Sequence, residues 1–118
     1  MQTITVTIGR NVGEEPLPQD RWNEFIADTR AAVDSTVSDI WVATPYRGSW
    51  DGVPEDAFVF YGPVEAEHIP WERLLKQRLS VLAGYYGQQA IGVSVGFSEL
   101  VDAIDVFAPV GEGEGVRA

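Results

Sequence analysis

The segment Thr3-Ile4-Thr5-Val6-Thr7-Ile8 decides the fold, because apolar and polar side chains alternate in it residue by residue. Successive side chains of a strand point to opposite faces of the sheet, so Ile4, Val6 and Ile8 share one face and the threonines share the other. The segment therefore predicts a strand in a sheet that is covered on one face.

Five further segments follow this strand, and their periodicities predict helix, strand, strand, helix and strand. The predicted helices span residues 19–33 and 70–84 (or to 87), and the predicted strands span 37–44, 57–61 and 90–97. The first helix has apolar residues at Trp22, Phe25 and Val33, the spacing of a stripe that faces a core. The order predicts an α+β, ferredoxin-like βαββαβ sandwich, a four-stranded antiparallel sheet with two helices on one face.

The C-terminal part allows two interpretations. Residues 98–110 fit a short helix capped by Ser98, and they fit an extra edge strand equally well. Residues 111–118 are rich in glycine and glutamate, which predicts a flexible acidic tail. We therefore expect one domain over residues 1–110, followed by that tail.

Composition excludes several classes of function. The chain of 118 residues has no cysteine, which excludes disulfides, thiolate nucleophiles and cysteine-based metal sites. Its net charge of −10 repels phosphates and anionic lipids, so we expect neither direct nucleic acid binding nor membrane binding. The sequence begins without a signal-peptide pattern and has no long apolar run, from which we expect a soluble, cytoplasmic protein.

The segment 45–55 is the best candidate binding site. It is predicted as the long tip of a hairpin and contains Tyr46, Arg47, Trp50 and Asp51. Tyrosine, tryptophan and arginine are the residue types enriched in interface hot spots, so the tip could contact a partner or ligand. Alternatively, the aromatic side chains fold over the sheet edge and Arg47 pairs with Asp51.

Two other groups of residues have both a functional and a structural interpretation. Asp20, Glu24 and Asp28 form an acidic row at i, i+4 and i+8, which is either a solvated helix face or a phosphate-like surface for a basic partner. His68 stands near Glu67, where it could bind a metal or transfer a proton, but helix-start acids are also explained by the helix dipole. The spacing fits no metal motif, so we predict no metal, no cofactor and no catalytic residue.

Apolar residues alternate on both faces of the two middle strands. Trp41 and Tyr61 project to the face opposite Ile40 and Phe60, which predicts an apolar second face of the sheet. We expect a homodimer contact or another protein to cover that face. Tyr61, with Arg47 and His68, would contact the ligand if the protein instead bound a small molecule.

A family resemblance rests on three short stretches. They are Thr5-Val6-Thr7-Ile8-Gly9-Arg10, the Trp22-x-x-Phe25 helix and Gly48-Ser49-Trp50. Over residues 3–97 the layout resembles small uncharacterised ferredoxin-like proteins of actinobacteria and their phages. The resemblance implies the fold, and it assigns no functional residue.

The expected function is non-enzymatic. We expect a phage or bacterial accessory factor that binds a partner protein through its acidic surface and aromatic hairpin tip. One alternative is a small-molecule-binding protein or cofactor-free enzyme of the dimeric α+β barrel type. Another is an acidic nucleic acid mimic that inhibits a DNA-binding protein. The sequence contains no nucleophile elbow and no phosphate-binding loop that would favour an enzyme.

Overall fold

Two helices cover one face of a four-stranded antiparallel sheet in the computed structural model, which describes residues 1–65 and 70–103. The elements are β1 Gln2–Gly9, β2 Asn11–Val12, β3 Glu15–Pro16, α1 Gln19–Asp34, β4 Val42–Trp50, β5 Val53–Pro63, α2 Trp71–Tyr85 and β6 Gly92–Phe97. The main sheet has the order β4-β5-β1-β6, and β2 pairs only with β3. This order is that of a ferredoxin-like sandwich, which confirms the predicted fold class.

Strand β1 lies in the middle of the sheet and separates its two faces. Ile4, Val6 and Ile8 are fully buried beneath the helices, on what we call the helix face. Thr5 and Thr7 lie on the opposite side, the open face, where they pair with positions 61 and 59 of β5. The alternation in the sequence therefore predicts both faces of this strand correctly.

The core lies between the helix face and the two helices. Phe25 from α1 and Leu75 from α2 are almost completely buried, and both belong to one cluster with Phe60 of β5. Burying such side chains is the main favourable contribution to folding, about 1.5–3 kcal/mol for each. The helices therefore lie close together and leave the open face uncovered by any described element.

Tyr86 joins the two helices at the end of α2. Its ring stacks on Phe25 with a centroid distance of 4.6 Å, and its hydroxyl donates a hydrogen bond to Asp28 Oδ2 at 2.5 Å. Burial of the ring raises the pKa of Tyr86 well above its ordinary value, and the bond to the Asp28 carboxylate raises it further. The neutral phenol is thus part of the folded structure.

Stability should fall at high pH because of Tyr86. A phenol with a raised pKa in the folded state contributes stability that is present below its unfolded pKa, near 10, and is lost as pH rises above that value. We expect Tyr86→Phe to lower the free energy of unfolding at pH 7 by about 1–2 kcal/mol. The variant should also lose less stability than the parent between pH 9.5 and 11.5, measured by urea unfolding.

Tyr85→Phe is the matched control, because Tyr85 is 65% exposed. Its alkaline profile should follow that of the parent protein. An unchanged alkaline decline in Tyr86→Phe would show that other groups cause it.

The largest departure from the sequence prediction lies in residues 37–55. The structure has no long loop there: β4 runs to Trp50, β5 starts at Val53, and only Asp51-Gly52 joins them. Both turn residues have positive φ, 52° and 78°. Positive φ at both central residues is typical of a type I′ turn, which matches the twist of a hairpin and favours Asp-Gly. The predicted loop 45–55 is therefore mostly strand.

The strand predicted at residues 37–44 starts later in the structure, because its first residue belongs to the end of α1. The amide of Val37 donates to the Val33 carbonyl at 2.9 Å, so this residue completes the end of α1 instead of entering the sheet. Its side chain is buried in the core all the same. Strand β4 accordingly begins only at Val42.

Residues 98–103 form neither a helix nor a strand in the structure. The rest of the segment 98–110, and the predicted tail 111–118, lie outside the described residues, as does His68.

The prediction of an apolar open face is largely wrong. Strand β1 contributes threonines there, and Thr3 Oγ1 hydrogen-bonds Ser98 Oγ at 3.0 Å. The hydroxyl of Tyr61 also hydrogen-bonds Ser98. Apolar groups such as Val59 are therefore interspersed with hydroxyl groups, of which Thr5 and Thr7 are half-buried and Thr3 is buried.

Candidate functional site

A cleft of about 680 Å³ lies at one end of the open face. Its walls are the tip of the β4–β5 hairpin, the end of β1 and the connection between α2 and β6. Small-molecule sites in proteins typically have volumes of about 300–1,000 Å³. The size of this cleft is therefore that of a site for a small organic molecule.

The carboxylate of Glu55 lines this cleft and lies over Gly9. Position 55 pairs with Gly48, and its side chain extends over Gly9 of β1. A Cβ atom on Gly9 would lie 2.6 Å from Glu55 Cδ, closer than real contacts allow. The backbone N–H of Asn11 donates a hydrogen bond to Glu55 Oε2 at 2.9 Å. Backbone geometry thus holds a half-buried carboxylate in a fixed place.

Tyr46 lies against Gly48, which belongs to the same strand, β4. A Cβ atom on Gly48 would be 3.3 Å from Tyr46 Cε2, so the missing side chain leaves room for the ring. Tyr46 is 44% exposed and lines the cleft on the same face as Glu55. The ring can therefore offer a flat surface and a hydroxyl group to a bound molecule.

The cleft is acidic. Glu14, Asp51 and Glu55 line it, and no lysine, arginine or histidine from residues 1–65 or 70–103 does so. Amide side chains of Asn11 and Gln88 are also present, and Gln88 Nε2 is buried without a hydrogen-bond partner among the described residues. Such a site attracts cations, and its amides can donate to or accept from a polar heterocycle.

The structure separates the residues that the sequence grouped together. Tyr46 and Asp51 line the cleft, but Arg47 lies on the helix face, where its Nη1 is 3.3 Å from Asp56 Oδ1. The predicted pairing of Arg47 with Asp51 is therefore wrong, because Asp51 lies in the turn and the strand register places Arg47 opposite Asp56. The Trp50 side chain lies outside the described part of the structure.

Tyr61 lies farther along the open face, away from the cleft. Its ring is 5.7 Å from that of Trp41, centroid to centroid, and Trp41 is 45% exposed. Tyr61 does not line the cleft. It belongs instead to the exposed surface around the start of β4.

The acidic row of α1 also lies away from the cleft, on the other side of the sheet. Glu24 accepts a hydrogen bond from Arg21 at 2.8 Å, and Asp28 accepts the one from Tyr86. Asp20 is exposed. Since Glu24 and Asp28 are engaged by neighbours within the chain, the row is not a continuous line of unpaired charges.

Three residues that shape the cleft were not predicted from the sequence, namely Gly9, Asn11 and Glu55. The signal that could have found Glu55 is the Asp51-Gly52 dipeptide. A two-residue turn there places position 55 opposite 48 and on the same face as 46. In the described part of the chain, no group of acidic or histidine side chains is arranged to hold a metal ion.

Gly9→Ala should displace the Glu55 carboxylate without unfolding the protein. The new methyl group would meet only the flexible end of Glu55, so we expect the free energy of unfolding to change by about 1 kcal/mol or less. The backbone N–H of Asn11 should lose its hydrogen-bond acceptor, and hydrogen exchange at this N–H should become roughly tenfold faster. NMR-detected hydrogen exchange measures this directly.

Gly96→Ala is the control for that experiment. A Cβ atom there would have no atom within 4 Å, and Gly96 also lies in a strand of the main sheet. Exchange at Asn11 should be unchanged in this variant. Unaltered exchange in Gly9→Ala would instead mean that the carboxylate is not held as the structure shows.

Comparison with known proteins identifies the fold. No known protein family matches the sequence, and no curated protein matches it. A phage SAM lyase in its apo state is 18% identical, with a TM-score of 0.55 and coverage of 80% of this chain and 78% of that one. A phage SAM lyase in complex with S-methyl-5'-thioadenosine is 17% identical, with a TM-score of 0.54 and coverage of 80% and 79%. At this identity the likeness shows a shared fold.

Proposed function

We propose that this protein is an enzyme that binds S-adenosylmethionine (SAM) in the acidic cleft and cleaves it as a lyase. The observation that carries the proposal is the Glu55 carboxylate, fixed over Gly9 in a cleft that no described basic residue lines. The solved phage SAM lyases with this fold supply the substrate class. The proposal replaces the non-enzymatic factor as the first hypothesis.

The charge of the cleft suits a sulfonium ion. SAM has a positively charged sulfur, and three carboxylates line the cleft, from Glu14, Asp51 and Glu55. At 4 Å, opposite charges attract by about 4 kcal/mol when the effective dielectric constant is 20. The half-buried Glu55 is the strongest candidate for this contact, because burial reduces screening by water.

The remaining polar groups suit the rest of the molecule. Tyr46 has an exposed ring on which a purine can stack, and Asn11 and Gln88 have amides that can hydrogen-bond a purine edge or ribose. The buried Nε2 of Gln88 has no hydrogen-bond partner among the described residues, and it would gain an acceptor if the side chain turned toward a ligand. These groups provide recognition for a nucleoside.

The reaction needs no group that the cleft lacks. In the proposed step, the bond between sulfur and Cγ of the aminobutyrate chain breaks, and its electron pair stays on sulfur. The products are neutral S-methyl-5'-thioadenosine and a four-carbon fragment. The fragment balances its charge either by bonding its own carboxylate oxygen to Cγ or by losing a Cβ proton, for which Glu55 is the nearest candidate base.

The test is incubation of purified protein with SAM, followed by mass spectrometry of the products. We expect S-methyl-5'-thioadenosine to accumulate in proportion to enzyme concentration and time. The two routes give isomers of equal mass, and proton NMR separates them. Loss of the Cβ proton leaves a carbon–carbon double bond with alkene signals, whereas attack by the carboxylate gives a lactone without them. The absence of both product formation and saturable SAM binding would overturn the proposal.

A second candidate is a protein-interaction role, favoured by the exposed start of β4. Trp41 and Val42 are 45% and 41% exposed at the edge of the sheet. We propose a second copy of the chain as the occupant, because the neighbouring open face is uncovered by any described element. Native mass spectrometry of the parent and of Trp41→Ser tests this, and a monomeric parent at micromolar concentration would contradict it.

No helix in the described part of the chain is long and apolar enough to cross a membrane.

A further inference from the structure

A second cleft, of about 380 Å³, lies on the helix face behind the same hairpin. Arg10 and Arg47 line it, together with Asp56, Gln19 and Trp22. The arginines come from different parts of the chain, the end of β1 and the middle of β4. Two guanidinium groups thus share one cavity in a chain whose net charge is −10.

The contacts of these arginines leave most of their donors available. Arg10 Nε donates to the Leu17 carbonyl at 2.7 Å, which fixes the direction of the guanidinium. Arg10 Nη1 is 3.6 Å from Asp56 Oδ2, and Arg47 Nη1 is 3.3 Å from Asp56 Oδ1. Charge-assisted bonds between guanidinium and carboxylate are usually about 2.7–2.9 Å and often bidentate. Asp56 therefore bridges both arginines without a tight bond to either.

We propose that the cleft between Arg10 and Arg47 binds an oxyanion with two negative charges, such as a phosphate or a dicarboxylate. The two guanidinium groups and Asp56 together leave one positive charge. Guanidinium groups match the geometry of phosphate and carboxylate oxygens. The Asp56 carboxylate is the internal group that the oxyanion displaces.

Asp56 can give way because its side chain is 48% exposed. Its backbone remains fixed, since its carbonyl accepts a hydrogen bond from the Arg10 amide at 2.9 Å. Only the side chain must turn toward water, and exposed ion pairs of this kind contribute little to stability. The cleft floor is rigid by comparison, because Trp22 is only 5% exposed.

This oxyanion site lies on the other side of the hairpin from the proposed lyase site, and the two clefts share only Tyr46 and Ala57 among their lining residues. Glu55 and Gly48 lie on the open face, whereas Arg47 and Asp56, one position along each strand, lie on the helix face. The two clefts therefore differ in charge sign and in the class of molecule that each attracts. Failure of SAM turnover would leave this inference standing.

The experiment is a titration of ¹⁵N-labelled protein with sodium phosphate, and separately with sodium malonate, at constant ionic strength. The Nε–H signals of Arg10 and Arg47 should shift and saturate. We expect Arg47→Gln to weaken binding at least about tenfold, since hydrogen bonds to a charged partner are lost. Asp56→Asn should instead strengthen binding about fivefold or more, because the internal competitor loses its charge. Saturation with phosphate alone, or with malonate alone, identifies the preferred oxyanion.

Two variants of equal charge change are the controls. Arg73→Gln alters an exposed residue of α2, and Asp34→Asn alters the far end of α1, about 22 Å along the helix from Gln19. Neither should change the affinity by more than the measurement error. Shifts that grow linearly without saturation would overturn the inference, as would equal affinity in Arg47→Gln or no gain in Asp56→Asn. Arg47 is 72% exposed, so its loss should not unfold the protein.

Discussion

Glu55→Gln should lower the kcat/KM for the proposed SAM cleavage at least about 100-fold while leaving the fold intact. Loss of one preorganised electrostatic contact at a reacting centre typically costs about 2.7–4 kcal/mol. Glutamine has the same shape, and its oxygen can still accept the hydrogen bond from the Asn11 amide. The change therefore removes the charge and little else.

Binding measurements can isolate the role of that charge. S-adenosylhomocysteine has a neutral thioether where SAM has a sulfonium, and the two are otherwise similar. Calorimetry should show that the parent protein prefers the sulfonium compound and that Glu55→Gln has lost most of this preference. Glu99→Gln, an exposed acid outside the cleft, is the control of equal charge. Turnover within threefold of the parent would remove Glu55 from the proposed site.

Phe25→Ala should cost about 3–5 kcal/mol of unfolding free energy, the usual range for removing a buried phenylalanine. Phe25 is fully buried, stacks on Tyr86 and lies edge to face with Trp22 at 6.0 Å. Domains of this kind are stable by only about 5–15 kcal/mol. The urea midpoint, measured by circular dichroism, should therefore fall substantially.

Phe97→Ala is the same deletion at an exposed position. Phe97 is 82% exposed at the end of β6, so the unfolding free energy should change by no more than about 0.5 kcal/mol. The difference between the two changes in unfolding free energy measures how much the packing around Phe25 contributes to stability. A loss below about 1 kcal/mol for Phe25→Ala would contradict the central position that the structure gives this ring.

The sequence predicts the fold well because the decisive signals are periodic and local. The alternation in β1 and the apolar stripe of Trp22 and Phe25 in α1 identify both the elements and their buried faces. Neither depends on distant contacts. The prediction of a loop at residues 45–55 is wrong because Gly48, Gly52 and two prolines, residue types typical of loops, stand within strands or in a two-residue turn here.

Those prolines are compatible with the hairpin. Counting from the two-residue turn, Pro54 pairs with Ser49 and Pro45 with Phe58, both at alternate, non-hydrogen-bonded pairs. A proline at such a position removes no bond between these two strands, and β4 is an edge strand of the described sheet. The hairpin itself was predicted, and the Asp51-Gly52 dipeptide is the signal for its short two-residue turn.

The candidate site was less predictable, because it depends on long-range register. Asn11 and Glu55 are far apart in sequence, and nothing local indicates that Glu55 reaches over Gly9. The importance of Gly9 comes from the missing Cβ beneath a side chain of another strand. The net charge of −10 gives no position for the acidic residues, and only the folded sheet brings Glu14, Asp51 and Glu55 together in one cleft.

The Asp51-Gly52 turn has a consequence for how this protein can change in evolution. Successive residues of the hairpin line opposite clefts: Glu55 lines the acidic cleft, and Asp56 lines the cleft that contains Arg10 and Arg47. Insertion or deletion of one residue between the turn and Ala57 would exchange the two sides and deliver each charge to the wrong cleft. Each strand of the hairpin can therefore lengthen or shorten only in steps of two residues if both clefts are to survive.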